Sequence, residues 1–405
     1  MTERLYYSDS YLSEFDATVV RVEERGTHRA VILDRTAFYP TSGGQPFDTG
    51  QLGSARVVDV VDGDDGEILH IVEGVLELGI VGAGEVELRF VHGTIDWERR
   101  FEHMQQHTGQ HVLSAAFDRV VGARTESFHL GSASSTIDLN RTLSAADIER
   151  AENEANRIVW EDHPVTVRFA SAGEAASLPL RKESFRTGTL RLIEVPGFDI
   201  SACGGTHVAR TGAIGTIAVA SSERFRGGTR VEFVCGVRAL RAYRGLRDAM
   251  SASVRLVSVL PSELPQGIVR LQAEAKDMTR QIKDLRSRLA GFEGAALADR
   301  AEMCGTVRAV VAAVEGADQA VLKALAASIT ARSGHVAALF SAPGPSAAVF
   351  ARAVDSDVDC AALLKHVIER FGGKGGGRPD LAQGGGLQGV PDQIVAFVRE
   401  QLLRL

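Results

Sequence analysis

The chain has 405 residues, with 45 Lys and Arg against 52 Asp and Glu for a formal charge of −7. At about 150 residues per domain this length predicts two or three domains, with room for real cores without disulfide staples. The acidic balance excludes a global basic coat but not a local basic surface, and four cysteines with no CxxC pair exclude a disulfide scaffold.

The first residues, Met1 to Tyr7, lack the apolar core of a signal peptide. No apolar run approaches the ~20 residues of a membrane span. A cytoplasmic protein with no membrane partner is the expectation. Residues 1–94 read as β. Thr18 to Val22, Ala30 to Leu33, Arg56 to Val61, Ile68 to Val72 and Glu85 to Phe90 are short and β-branched. Turn residues such as Asp62-Gly63, Asp65-Gly66, Gly82 and Gly84 separate them, which suggests a small barrel.

Residues 95–240 are mixed. A helix is predicted over Glu98 to Val121, ending near Gly122. A second follows from Ser144 to Val159, with Ser144 as N-cap and Asp147 completing a capping box. Strands are expected at Val165 to Phe169, Leu190 to Val195, Ile214 to Ser221 and Thr229 to Val234. Residues 241–303 read as a helical arm or two-helix hairpin. Arg238, Arg241, Arg244 and Arg247 recur along one side, and the second stretch runs from Ile268 to Met303. Residues 304–405 return to αβ alternation. Val307 to Val314 and His335 to Phe340 read as strands and Gln319 to Ser333 as a helix. A glycine-dense loop from Gly372 to Gly386 precedes a last helix, Pro391 to Leu405.

Six of the eleven histidines fall between residues 103 and 207, so histidine chemistry is sought there. In His107-Thr108-Gly109-Gln110-His111, helical i, i+4 spacing puts both imidazoles on one face. A zinc protease would carry Glu after the first His; Thr108 stands there instead. Far downstream, Cys203-Gly204-Gly205-Thr206-His207 can fold tightly enough at its glycines for both end residues to point inward. Together the pairs make a Cys and three-His set suited to Zn²⁺, structural or catalytic. His103, one turn before His107, would be a fifth ligand and is placed beside the set or apart from it.

Both pairs, in this order, resemble the editing domain of alanyl-tRNA synthetases and their freestanding relatives. Met104-Gln105-Gln106-His107-Thr108-Gly109-Gln110-His111-Val112-Leu113 is similar to the family's His-Thr-x-x-His-Leu-Leu element. Cys203-Gly204-Gly205-Thr206-His207-Val208 matches its Cys-Gly-Gly-Thr-His block. Thr211 to Gly215 and Gly227 to Glu232 continue the match. The stretch Ala37 to Gly50 is similar to the turn of the family's N-terminal barrel. Gly373 to Gly385 resembles the signature loop of the DHHA1 domain. With the barrel starting near residue 1 there is no room for an aminoacylation domain, so the freestanding AlaX-type editing proteins are the expected relatives.

The resemblance implies an α+β multidomain protein: an N-terminal β-barrel, a zinc-containing editing domain, a helical arm and an α/β DHHA1 domain. It implies a trans-editing hydrolase with Zn²⁺ on His107, His111, Cys203 and His207. The substrate would be tRNA(Ala) mischarged with serine or glycine, with alanyl-tRNA(Ala) spared. The alternative is a zinc-containing tRNA-binding or regulatory protein without turnover. Thr108 is the candidate partner of the serine hydroxyl. His129, standing where synthetases commonly have Gln, is the candidate to orient water or substrate. Arg226 and Arg230, in a stretch of seven Arg and three acids over residues 221–250, are candidate tRNA contacts. So are Lys374 and Arg378, set among eight glycines in residues 372–386. The arm and DHHA1 domain together suggest a homodimer.

Overall fold

A computed structural model describes residues 1–63, 65–77, 79–81, 88–181, 188–344 and 347–404. The chain divides into two units, residues 1–252 and 253–405. The first unit opens with β1 (Glu3–Arg4), β2 (Glu14–Arg25), β3 (His28–Leu33), β4 (Arg35–Thr36), β5 (Gly50–Leu52), β6 (Ala55–Asp62), β7 (Ile68–Glu73), β8 (Gly79–Val81) and β9 (Leu88–Ile95). Their order β2-β3-β7-β6-β5-β9, with β9 pairing back onto β2, closes the expected barrel. Strand β2 can serve both neighbours because a register break between Val19 and Arg21 bends it. Its first half pairs with β9 and its second with β3. Phe15, Leu33, Val57, Val60, Ile68 and Val91 fill the interior. The strand expected over Glu85 to Phe90 is seen from Leu88 and continues to Ile95. Its first three positions, and the turn glycines Gly82 and Gly84, lie outside the described residues.

Helix α1 (Trp97–Val121) follows, with Asp96 accepting from the Arg99 N–H as N-cap and Gly122 in the left-handed region as C-cap. Next come β10 (Thr125–Leu130), β11 (Ser135–Leu139), α2 (Ala145–Trp160), β12 (Thr166–Ser171), α3 (Ala172–Ala176), β13 (Thr189–Val195), β14 (Asp199–Ala202), β15 (Ile217–Phe225) and β16 (Gly228–Cys235). Ser144 and Asp147 form the predicted capping box. Sequence patterning did not predict β10, β11 and β14, because each is short and carries polar residues. The strand expected from Ile214 starts at Ile217, since Thr211–Ile214 turns as a 3-10 helix. Two sheets result, β10-β11-β16-β15 and β12-β13-β14.

Helix α1 is the spine of this region. His103 through Phe117 are all buried, including a polar run that would be solvated on an ordinary surface helix. The glutamines explain it. Gln106 donates to the Cys235 carbonyl and accepts from the Cys235 N–H, both at 2.9 Å. Gln105 donates to the Ala213 carbonyl at 3.0 Å and accepts from the Val237 N–H at 3.1 Å. The side-chain amides thus satisfy backbone that no strand reaches. At the other end of the polar run Arg100, fully buried, forks onto Asp48 with a shortest contact of 2.6 Å and donates to the Ser10 carbonyl at 2.9 Å. That ion pair locks α1 to the barrel.

Helix α4 (Gly236–Val257) leads into the second unit. There α5 (Leu264–Asp299), β17 (Glu302–Cys304), β18 (Val307–Glu315), α6 (Gln319–Thr330), β19 (His335–Ala342), β20 (Ala348–Arg352), α7 (Cys360–Phe371), β21 (Lys374–Arg378), β22 (Leu381–Gly385) and α8 (Pro391–Leu403) follow. The helix expected to reach Met303 stops at Asp299, and Met303 lies in β17 instead. Helix α6 ends at Thr330, three residues short of the prediction. The sheet order is β17-β18-β19-β20-β22-β21, with β18 and β19 parallel and α6 crossing between them. Side chains alternate between two cores, Phe340 and Phe350 on one face, Leu339 and Val349 on the other.

The glycine-dense stretch is not a loop. It folds as the hairpin β21–β22 at the sheet edge. Bare glycines let the two backbones close up: a Cβ at Gly377 would lie 2.3 Å from the Leu381 carbonyl oxygen. Helix α7 and strand β20 also escaped the sequence reading. Among the described residues no helix is long and apolar enough to cross a membrane.

Candidate metal centre

Spacing of four on α1 puts His107 and His111 on one face, with ring centroids 5.3 Å apart. The chain after β14 brings Cys203 and His207 to the same face. The ligand atoms of these four residues all lie within 4.8 Å of one another. Cys203 Sγ is 3.3 Å from His107 Nε2 and 3.4 Å from His207 Nε2. Neighbouring donors on a tetrahedral zinc-sized cation would be about 3.5 Å apart, given bonds of roughly 2.0–2.3 Å. The donor set therefore fits such a cation.

The outward nitrogens support the same assignment. His107 Nδ1 is 2.8 Å from Gln45 Oε1, on the barrel turn. His207 Nδ1 is 3.2 Å from Thr108 Oγ1. His111 Nδ1 is 3.3 Å from Asp199 Oδ2 on β14. With a proton on each Nδ1, every imidazole turns an Nε2 lone pair inward. Gln45 is buried, and it also donates to Thr206 Oγ1 at 2.8 Å and accepts from the Thr206 N–H at 3.1 Å. Arg191 on β13 donates to the Cys203 and Gly205 carbonyls at 2.8 and 2.9 Å, and to the Tyr7 carbonyl at 2.9 Å. The N-terminal segment closes over the loop as well. The His207 N–H donates to Ser10 Oγ at 3.3 Å, and the Ala209 N–H to the Tyr11 hydroxyl at 3.0 Å.

The charges of Cys203 and His207 agree with ligation, whereas His111 must give up a proton to a cation. Desolvation pushes the Cys203 thiol up, but the imidazoles of His107 and His207 outweigh it and hold it well below its ordinary range, as thiolate. Burial lowers His207 to about 3, which keeps its ring neutral. Desolvation would also push Asp199 upward, yet its hydrogen bond with His111 and the nearby Arg181 hold it at about 2. For His111 burial acts downward, and Asp199 and Cys203 reverse it to about 8.

Other sequence candidates fall elsewhere. Thr108 is fully buried beside the four, where its hydroxyl also accepts from the Val208 N–H at 3.1 Å. His129 is exposed on β10. Its neighbour Phe128 lies against His107, with centroids 6.0 Å apart. Strand alternation turns His129 to the opposite side, the side of its register partner Thr136 and of Glu232 beyond it. His103 is not in the ligand set. It is buried and lowered to about 3, by desolvation first and then by Arg99 and Arg238. It lines a cleft with Asp96, Arg99, Glu102, Ser132 and Arg241, one helical turn from His107.

The arginine stripe is partly structural. Arg238 is buried, donating to Glu102 at 2.8 Å and to the Gly131 carbonyl at 2.6 Å, and Arg241 pairs with the same Glu102 at 2.6 Å. Arg230 pairs with Asp138 at 2.7 Å and lies over the Phe225 ring at 3.6 Å. Arg226, in the turn after β15, lies over the same ring at 5.0 Å. In the second unit Lys374 and Arg378 are exposed on the edge strand, Arg378 with Asp380 at 3.1 Å. Sequence reasoning gave no role to Gln45, Asp199 or Arg191. Gln45 lay in a quoted motif, whereas nothing local marked Asp199 or Arg191.

Comparison with known proteins gives three family matches. The DHHA1 domain matches residues 306–403. The threonyl and alanyl tRNA synthetase second additional domain matches residues 190–232, and tRNA synthetases class II (A) match residues 5–99. The chain is 32% identical to alanyl-tRNA editing protein AlaX-L of Pyrococcus horikoshii over 413 residues, covering 99% of this chain and 98% of that one. It is 34% identical to alanine–tRNA ligase of Pyrococcus furiosus and 37% identical to that of Natronomonas pharaonis, each over 95% of this chain. It spans 42% of the length of either ligase.

Proposed function

Since the chain belongs to the family of alanyl-tRNA editing proteins, we propose that it is a hydrolase that deacylates tRNA(Ala) mischarged with serine and spares alanyl-tRNA(Ala). The convergence of His107, His111, Cys203 and His207 carries this reading. We assign Zn²⁺ to these four donors. When bound, zinc supplies Lewis-acid activation of a water or of the ester carbonyl, or an anchor for the substrate's amino group. Gln45 and Thr108 hold the Nδ1 protons of His107 and His207, and the Asp199 carboxylate faces His111 Nδ1 at 3.3 Å, which favours each Nε2 aimed inward.

Selectivity falls to Thr108 in this reading. Its oxygen accepts from His207 Nδ1–H and from Val208 N–H. Its own proton is left to donate, and we assign that proton to the hydroxyl of a seryl ester. A site built around that hydroxyl rejects the alanyl ester by ~10⁴, because its polar group would be left unpaired. His129, turned away from His107, is given no step. Arg226 and Arg230, with Lys374 and Arg378, are assigned to tRNA phosphates, Arg230 shared with Asp138. Action in the cytoplasm on free mischarged tRNA follows from this substrate.

The test is deacylation of seryl-, glycyl- and alanyl-tRNA(Ala), with and without chelator. Release of serine, retention of alanine and loss of activity on chelation are expected, and release of glycine, which lacks the hydroxyl as alanine does, would show that the hydroxyl contact is not the sole basis of selection. tRNA binding without release would overturn the hydrolase and leave a tRNA-binding protein with a structural metal.

A further inference from the structure

We propose that the cleft at His103 receives a phosphate of the tRNA 3′ end, the one on the 5′ side of the terminal adenosine. This rests on the tRNA reading above and names the group that seats the substrate's last nucleotide. The cleft has a volume of about 230 Å³, and Arg99, His103 and Ser132 line it. Sites that enclose a whole small molecule run to roughly 300–1,000 Å³. This one suits a single group of a larger chain.

His103 is 4% exposed, and its Nδ1 is enclosed without a partner. Among the described residues Nε2 has no hydrogen-bond partner either. A buried polar ring with no partner calls for an explanation, and no contact within the chain gives one. An enclosed N–H without an acceptor is rarer than an unmet lone pair, which puts the proton on Nε2. Burial, with Arg99 and Arg238 nearby, keeps the ring neutral. It therefore offers one N–H donor to the cleft. Arg99 offers more. Its Nε donates to the Phe47 carbonyl at 3.0 Å, and its guanidinium lies over the Phe47 ring at 5.1 Å, so its direction is fixed. Its terminal nitrogens meet no carboxylate among the described residues. The Ser132 hydroxyl is a further donor.

The acids of the cleft are mostly spent. Glu102 is held by Arg238 at 2.8 Å and Arg241 at 2.6 Å, two cations to one carboxylate. Asp96 caps α1. Glu98 is exposed, where water and salt screen it. A phosphodiester only accepts hydrogen bonds and carries a charge, so it can meet all the free donors at once. Position selects which phosphate. Arg99, His103 and His107 follow at steps of four and form one ribbon along α1. One step is about 6 Å along the axis. The ester to be cut lies on the sugar of the terminal adenosine, and the nearest phosphate lies across that sugar. One helical turn thus separates the two contacts on the protein as one sugar separates them on the substrate.

Binding of an uncharged acceptor-stem minihelix ending in CCA tests this without turnover. A second minihelix carries a neutral methylphosphonate at the linkage before the terminal adenosine. The wild type should bind the neutral one about 10-fold more weakly, the scale of one lost hydrogen bond to a charged group. The double variant Arg99→Gln, His103→Phe should no longer distinguish the two. Each ratio is taken on one protein, so a smaller folded fraction cancels. Equal wild-type affinities would overturn the phosphate site and leave the hydrolase to its deacylation assay. A double variant that keeps the full ratio would remove Arg99 and His103 from the contact and overturn the assignment. AMP bound as tightly as the native minihelix would overturn it in favour of a free nucleotide. Failure to bind either minihelix would remove the tRNA reading and this site with it.

Discussion

At the residue scale, the metal centre depends on one missing side chain. A Cβ at Gly205 would lie 2.1 Å from His107 Cε1 and 3.1 Å from Gln45 Oε1. Neither can retreat, since both are fully buried. Gly205→Ala should therefore fold but bind zinc at least 10-fold more weakly, as read by competition with a chromogenic chelator; wild-type affinity would show that the loop can shift. The Gly-Gly between Cys203 and His207 was legible in the sequence as a tight turn, but its neighbour was not. Thr108→Val should act twice. Loss of the acceptor for His207 Nδ1 should lower zinc affinity about 10-fold, since losing the hydrogen-bond partner of a ligating imidazole typically costs roughly 10–100-fold. At saturating zinc, the serine-to-alanine ratio of deacylation rates should still collapse. A ratio that stays at the wild-type value once zinc is restored would confine Thr108 to holding His207.

At the element scale, periodicity located α1 to within a residue at each end, because Asp96 caps it and Gly122 stops it. It did not reveal that the helix is enclosed on all sides, since its buried positions read as polar. The barrel conceals a comparable case. His70 on β7 is fully buried, 2.8 Å from Thr36 Oγ1 and 2.9 Å from the Val31 carbonyl. Burial lowers it to about 4, against an ordinary value of 6.5. A depressed histidine favours the folded state wherever the unfolded chain is deprotonated. Its contribution is therefore complete above pH 6.5 and is lost as the unfolded chain takes up a proton between pH 6.5 and 4. The loss is about 3 kcal/mol. Urea midpoints should fall over that window, and His70→Asn should flatten the fall even though it is less stable at pH 7. An equal acid slope in both proteins would place the acid sensitivity elsewhere.

At the scale of the whole molecule, a charge of −7 need not oppose a tRNA partner. What matters is where cations stay available. Ion pairing occupies Arg238 and Arg241 on Glu102 and Arg230 on Asp138, so a count of arginines overstates the basic surface. On the edge strand β21 Lys374 and Arg378 stand exposed among glycines, Arg378 held only by a solvent-exposed pair with Asp380 at 3.1 Å. Replacing both with Ala should make the plot of log affinity against log salt shallower by about 1.5, near 0.7–0.9 per lost phosphate contact. An unchanged slope would remove the hairpin from the tRNA interface. The sequence by itself determined the barrel, the four candidate ligands and the family, because these rest on local patterns: alternation, i, i+4 spacing and a Cys-Gly-Gly-Thr-His block. Only the tertiary structure decided what holds those ligands. Gln45, Asp199 and Arg191 arrive from a barrel turn and two short strands, 62, 88 and 12 residues from the groups they touch. A hydrogen bond across such separations leaves no periodic trace in the chain. It exists only once packing has brought the backbones together.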